Sequence, residues 1–304
     1  MIGRGLRRLA SLVMRPIAGL PRRSISLTCG LLILASFAVV MAAGPVIWPH
    51  GPAQIDAPHV LESPSLRHPL GTDAIGRDIA ARVIDGTRYA IAVPLAAVLL
   101  GIVLGAPVGL LAGVFGGFAD LLVRRLFMAV GFIPPLVLAL ALVAAMGPSL
   151  RHVVIAIGVL EAMFFARAMR DEVRAMHASG FIEGAVAMGN TLPRLTLLHL
   201  LPNTLAGIAG EIPRRIAWAL GTLAVMGFLG IGTAAGSTEW GAMVREGVEL
   251  MYAGQWWPSI FPGLALLLLG FGLQLLAAGI SDLTGRRPVA LGGPMGGARG
   301  GAAH

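Results

Sequence analysis

The chain has 304 residues, 56% of them hydrophobic and only 12% charged, with a formal net charge of +8. In a water-soluble protein a sequence pI of 11.3 would point to nucleic acid, but aromatic residues are few and the arginines sit mainly at the ends of apolar runs, where orientation in a membrane needs them; the composition is that of a polytopic membrane protein with no nucleic-acid partner. All 23 basic residues are arginine and Cys29 is the single cysteine, which excludes a GxxxxGK[ST] phosphate loop, Schiff-base chemistry, a disulfide framework and a multi-cysteine metal site.

Several apolar runs exceed the roughly 18 residues that mark a transmembrane helix. They predict an all-α polytopic fold of six spans, at residues 25–47, 89–115, 121–146, 150–168, 204–232 and 259–282. With the N-terminus inside, 15 arginines fall on cytoplasmic segments, six fall outside, and two, Arg214 and Arg215, lie within a span. Cytoplasmic arginines hold loops against translocation, so N-in and C-in is the expected topology. Residues 1–24 form a basic cytoplasmic segment in which Leu6, Leu9, Val13, Ile17 and Leu20 share one face, suited to lying along the inner surface. The run that follows is too long for the apolar region of a signal peptide and is read as an uncleaved first span.

Residues 48–88 are an external loop. His50, His59 and His68 recur in it at nine-residue intervals, a spacing that matches no compact ligand pattern, so no metal site is expected. In HPLGTDAIGRDIAARVIDGTR (68–88), Ile75, Ile79, Val83 and Ile84 share a helical face that Arg77, Asp78, Arg82 and Asp85 avoid, with Thr72 or Asp73 as the cap. Such a segment either packs over the subunit and the outer membrane surface or meets a receptor. Residues 89–287 form one core domain of five spans. In its first, Gly101, Gly105, Gly109 and Gly113, with Gly117 just beyond, repeat every four residues and let another backbone approach, either within this chain or on a partner subunit. Pro134 and Pro135 remove backbone donors in span three and predict a kink near mid-membrane, which either borders a water-filled path or is structural.

Charges occur where the membrane disfavours them: Glu161 in span four, and Glu211, Arg214 and Arg215 in span five. At about 1.5 Å per residue, counting from Arg170 to Glu161 and from Asn203 to Glu211 puts both acids roughly 12–14 Å above the cytoplasmic surface. Each charge alone costs about 2.5–3.5 kcal/mol at a helix centre. Glu211 can reach Arg214 or Arg215 along its own helix, leaving Glu161 to neutralise the other arginine across the helix interface. The cluster is either a self-neutralising structural element or also lines a polar path.

Between spans four and five, FIEGAVAMGNTLPRLTLLHLLPN (181–203) has a helical pattern of its own. Ile182, Ala185, Val186 and Gly189 recur at three- and four-residue steps, Gly189 and Asn190 supply a turn, and Pro193 suits the first turn of a second short helix. A cytoplasmic helix-turn-helix with Glu183 projecting from it serves to touch another protein. From Glu183 to Pro202, E-G-A-x3-G-x9-H-L-L-P resembles the E-A-A-x3-G-x9-I-x-L-P loop of bacterial ABC importer permeases. HPLGTDAIGRDIAARVIDGTR, GLLAGVFGGFAD (109–120), LHLLPN (198–203), FLGIG (228–232), EWGAMVREG (239–247) and FPGLALLLL (261–269) narrow the resemblance to the dipeptide/oligopeptide/nickel permeases, in the subunit type with a long loop after the first span.

The resemblance covers roughly residues 25–287. It implies a non-enzymatic subunit of the bacterial inner membrane that forms half of a translocation path beside a second homologous permease. Its coupling loop, residues 180–203, would dock into a groove on one of one or two separate ATPase subunits, which carry the ATP and Mg. A solute-binding protein outside the membrane would deliver the cargo. By the same resemblance Glu183, Gly184, Ala185 and Gly189 belong to the docking helix and Pro202 ends the loop. Gly184 departs from the motif's alanine, loosening that helix by about 1 kcal/mol, and Ala278 stands where an acidic residue is common. Di- or oligopeptides are the expected cargo; nickel or another small solute stays open, because the binding protein does most of the selecting. A secondary transporter would show inverted repeats, and none is visible; a membrane enzyme would need His, Cys or paired acids facing a cavity. The glycine-rich tail, 288–304, is expected to be disordered.

Overall fold

The computed structural model describes residues 22–178, 182, 189, 191–234 and 236–284; residues 1–21, Glu183, Gly184, Ala185 and Asn190 of the coupling loop, and the tail from 285 lie outside the described residues. The described residues form an all-α fold: α1 (Arg22–Ile47), α2 (Ile79–Phe115), α3 (Gly117–Gly131), α4 (Pro135–Met146), α5 (Leu150–Ala178), α6 (Leu192–Leu195), α7 (Leu201–Ile208), α8 (Ile212–Phe228), α9 (Trp240–Met251) and α10 (Trp257–Thr284). α1, α2, α5 and α10 are each long and apolar enough to cross a bilayer. Large apolar side chains such as Leu32, Val103, Leu267 and Phe271 face outward along them, as lipid-facing surfaces do, because within the hydrocarbon only a helix or a closed barrel satisfies its backbone.

The two remaining predicted spans are broken. α3 and α4 meet at 89° across Phe132–Pro134, where two consecutive prolines cannot donate to the preceding turn. The expected helix over 204–232 divides into α7, a 3-10 turn at Ala209–Glu211, and α8.

Helix α2 corrects the sequence reading at its start. The amphipathic stretch ending at 88 and the span beginning at 89 are one 37-residue helix. Its cap is Asp78, whose carboxylate accepts the Ala81 N–H, rather than Thr72 or Asp73. Asp73 instead folds the preceding turn, accepting the backbone N–H groups of Ile75 and Arg77. Past the cap, α2 lies against α5. A Cβ at Gly101, Gly105, Gly109 or Gly113 would collide with Glu161, Ala162, Ala166 or Val173, so the glycine stripe is a seam within this chain and its use against a partner subunit is ruled out. Gly117 has nothing near it and does not extend the seam.

One end of the bundle is a cap in which two of the sequence blocks interlock. Arg82, 2% exposed, ties Asp73 (2.5 Å) to Glu246 (3.1 Å) and donates to the Ser237 carbonyl. The indole N–H groups of Trp240 and Trp257 donate to the carbonyls of Val83 and Thr72. HPLGTDAIGRD therefore packs over the subunit by holding EWGAMVREG. At the opposite end Asp120, in the first turn of α3, pairs with Arg170 and Arg174 of α5.

Candidate functional site

The seam positions the site. Because Gly101 has no side chain, Glu161 of α5 lies directly against α2 and is fully buried. From there its two oxygens accept from Arg215 Nε at 2.7 Å and Nη2 at 2.8 Å, a bidentate match of planar carboxylate and planar guanidinium. One residue earlier, Arg214 donates to both oxygens of Glu211 at 2.6 Å, three residues apart, the spacing at which side chains on a helix meet. Each arginine thus has its own acid, and the exchange crosses from α8 to α5 as the depth count required.

Arg215 is also sandwiched by aromatic faces: its guanidinium carbon lies 4.2 Å from the Phe164 ring centre and 4.7 Å from that of Trp218. Cation–π contact of this kind strengthens as water is removed, to about 2 kcal/mol or more. Breaking a buried pair of this sort by removing one partner costs about 3–5 kcal/mol, because the other charge is left uncompensated.

The bend in span three opens beside this cluster. A cavity of about 340 Å³ is lined by Phe127, Pro135, Phe164, Arg167, Arg215 and Trp218, among others. Pro135 begins α4 and reaches the cavity directly; Pro134 precedes it as the residue at which the chain turns. Arg167 is a cavity-lining residue that sequence reasoning missed, having been counted as a cytoplasmic arginine. It lies well inside α5 and is exposed. Its charge rests over the Phe127 ring at 5.4 Å, with no carboxylate partner among the described residues. Phe164 and Arg167, three residues apart on α5, both line the cavity, a spacing that was available in the sequence.

In the coupling loop Gly189 has a φ of +86°, the left-handed conformation that a turn there requires. Ile182, Leu195 and Leu200 are buried in the core shared by α2, α5 and α8. Glu183, Gly184 and Ala185 lie outside the described residues. The second helix does start at Leu192 with Pro193 in its first turn, but Pro202 does not end the segment. Helical backbone runs from Leu192 through a π-helical stretch at Thr196–Leu200 and straight into α7. The wide π turn sits immediately before the proline, where the i→i−4 ladder has lost a donor.

Residues 105–283 match the family described as binding-protein-dependent transport system inner membrane component. The chain belongs to that family. Among similar proteins are the dipeptide transport system permease of Alkalihalophilus pseudofirmus, 33% identical over 83% of both chains, and the probable D,D-dipeptide transport system permease of Escherichia coli K12, 35% identical over 83% of this chain and 84% of its own. The glutathione transport system permease of Pectobacterium atrosepticum is 33% identical over 86% of both. This chain is an ABC importer permease, a multi-pass component of the bacterial inner membrane.

Proposed function

We propose that this permease carries di- or oligopeptides and that its half of the path runs past the cavity at the bend of span three. The observation that carries the reading is the cavity wall itself: one arginine neutralised by Glu161, one arginine without an acid among the described residues, and aromatic surface around both. A small peptide presents a terminal carboxylate and apolar side chains, and this wall offers a partner to each. The named relatives serve dipeptides, D,D-dipeptides and glutathione, all small and carboxylate-bearing.

ATP and Mg belong to separate ATPase subunits in this reading, consistent with a chain that has no lysine for a phosphate loop. Residues 180–203 dock onto one of them, a second permease completes the path, and a solute-binding protein delivers cargo to the cap. The turn at Gly189 and the core anchors Ile182, Leu195 and Leu200 would let that loop pass force directly into α5 and α7.

The test is peptide uptake and ATPase activity of the reconstituted complex. Arg167→Gln removes a charge that holds no acid among the described residues, and Glu161→Gln with Arg215→Gln removes both members of a pair together, so neither leaves a buried charge stranded. Both should cut uptake at least tenfold with basal ATPase activity retained, while Gly189→Pro should abolish the stimulation of hydrolysis by cargo. Wild-type uptake by both charge variants would assign the cluster a structural role only.

A further inference from the structure

The nine-residue histidine spacing that excluded a metal site along the sequence does not exclude one in space. In the cap, the rings of His50 and His68 have centres 4.9 Å apart, and those of His59 and His68 6.1 Å apart. His68 is buried, and its Nδ1 lies 2.7 Å from Asp78 Oδ2. The other Asp78 oxygen accepts from Trp48 Nε1 at 3.2 Å and from the Ala81 N–H at 2.7 Å. Asp78 is therefore fully engaged as an acceptor and sets His68 in the tautomer with Nδ1 protonated, which aims the lone pair of Nε2 away from it. That Nε2 is buried without a hydrogen-bond partner. It faces Asp56 Oδ2 across 3.5 Å, an oxygen that also takes Arg67 Nη2 at 2.9 Å.

A buried lone pair aimed at a partly exposed carboxylate oxygen leaves a place for a cation between them, beside the Arg67 guanidinium that already meets Asp56. Their separation also fits: ligands at about 2.0–2.1 Å on a tetrahedral ion stand about 3.3–3.5 Å apart. Ligand atoms of His50, His68 and Asp78 fall within 4.8 Å of one another, and His50 lines a cavity of about 290 Å³ that gives its ring room to turn. Behind Asp56, His59 Nδ1 lies 2.9 Å from Oδ1.

We propose that His68 Nε2, Asp56 and His50 bind a divalent transition ion of the zinc class, oriented from behind by Asp78 and His59. The Asp78–His68 contact has the form of the carboxylate–histidine–metal relay, in which a carboxylate fixes the ring and raises its basicity. Imidazole and carboxylate together select zinc-like ions over magnesium or calcium, which take oxygen alone. Bound there, the ion ties the segment leaving α1 to the cap of α2. The proposal does not rest on the peptide reading, since the cap is remote from the path cluster in sequence and in its contacts.

The experiment uses the full-length chain in nanodiscs, purified without a histidine tag and stripped of metal. Zinc titration should give one site per chain, raise the thermal midpoint, and leave magnesium without effect; cobalt should give the absorption bands of a tetrahedral nitrogen–oxygen site. His50→Ala or Asp56→Asn should weaken zinc at least tenfold, and His59→Ala, acting through Asp56, by about tenfold. His68→Ala is avoided because it also strips Asp78 of a partner. The proposal is overturned if the wild type binds no zinc stoichiometrically. Binding that survives in the His50→Ala, Asp56→Asn double variant overturns it equally.

Discussion

Glu239 shows how a single side chain can set a pH dependence. It caps α9, accepting the N–H groups of Gly241 at 2.9 Å and Ala242 at 2.9 Å, and it is 2% exposed. Burial pushes its carboxyl up to about 7 from 4.5, despite those two donors. A carboxyl raised in the folded state stabilises fully below its unfolded pKa, and that contribution is lost as pH rises through the folded value. The window is therefore pH 4.5 to 7, and the loss is of the order of 3 kcal/mol. Glu239→Gln should remove this component, so the difference between wild-type and variant thermal midpoints should change steadily from pH 5 to 7 and level off above it. Parallel midpoints across that range would show that Glu239 does not titrate there. At this scale the sequence was informative where helix geometry alone decides an outcome. Matching depth brought Glu161 and Arg215 together because rise per residue is constant. Depth carries no rotation about the axis, however, and so it left Arg167 among the cytoplasmic arginines. The convergence of His50, His59 and His68 was invisible for a different reason: their approach depends on loop turns around Asp73 and Asp78 that no periodicity encodes.

Among elements, the pair α2 and α5 has the most demanding interface. Gly105 and Gly109 face carbonyl groups of Ala162 and Ala166 so closely that a Cβ has no place without parting the helices. Gly109→Ala should lower the thermal midpoint and the yield of folded protein, by the equivalent of about 1–3 kcal/mol or more, since overpacking cannot be absorbed by backbone. Gly221→Ala in α8 has open space around it and should be neutral or gain up to about 1 kcal/mol from helix propensity. Equal behaviour of the two would remove the seam from its structural role. The four-residue glycine step was legible because the same small face recurs on every turn. The break at Ala209–Glu211 was not, although Gly210 sits at its centre and Pro213 in the first turn of α8 removes a donor from the ladder, because either residue is also tolerated inside a continuous membrane helix. The start of α2 was misplaced for a related reason: Asp73 and Asp78 are both adequate caps, and only tertiary contact with Trp48 and His68 distinguishes them.

For the molecule as a whole, the arginine distribution predicts which end of the bundle faces out. With Cys29 replaced, cysteines at Val60, 45% exposed, and Tyr252, 95% exposed, should react with an impermeant thiol reagent added outside intact cells. One at Asp171, whose side chain is 55% exposed, should react only after permeabilisation; labelling of 171 from outside would invert the topology. Trp240, close to Tyr252 in sequence, is buried at 1% and is unsuitable for the purpose. The unbroken length of α2 has a mechanical meaning for this arrangement. Its 37 residues, with Pro94 and Pro107 inside, make a rod about 55 Å long, nearly twice the roughly 30 Å hydrocarbon thickness, and the glycine seam, which brackets Pro107, splints it to α5. A splinted rod tilts before it flexes: a rocking of about 10° around its midpoint would swing each tip by roughly 5 Å in opposite directions. The compliant places are 132–134, on the wall of the arginine-lined cavity, and 209–211, one turn before Arg215, so a push delivered at one face of the membrane would arrive at the other as leverage while the hinge-like joints between them change shape.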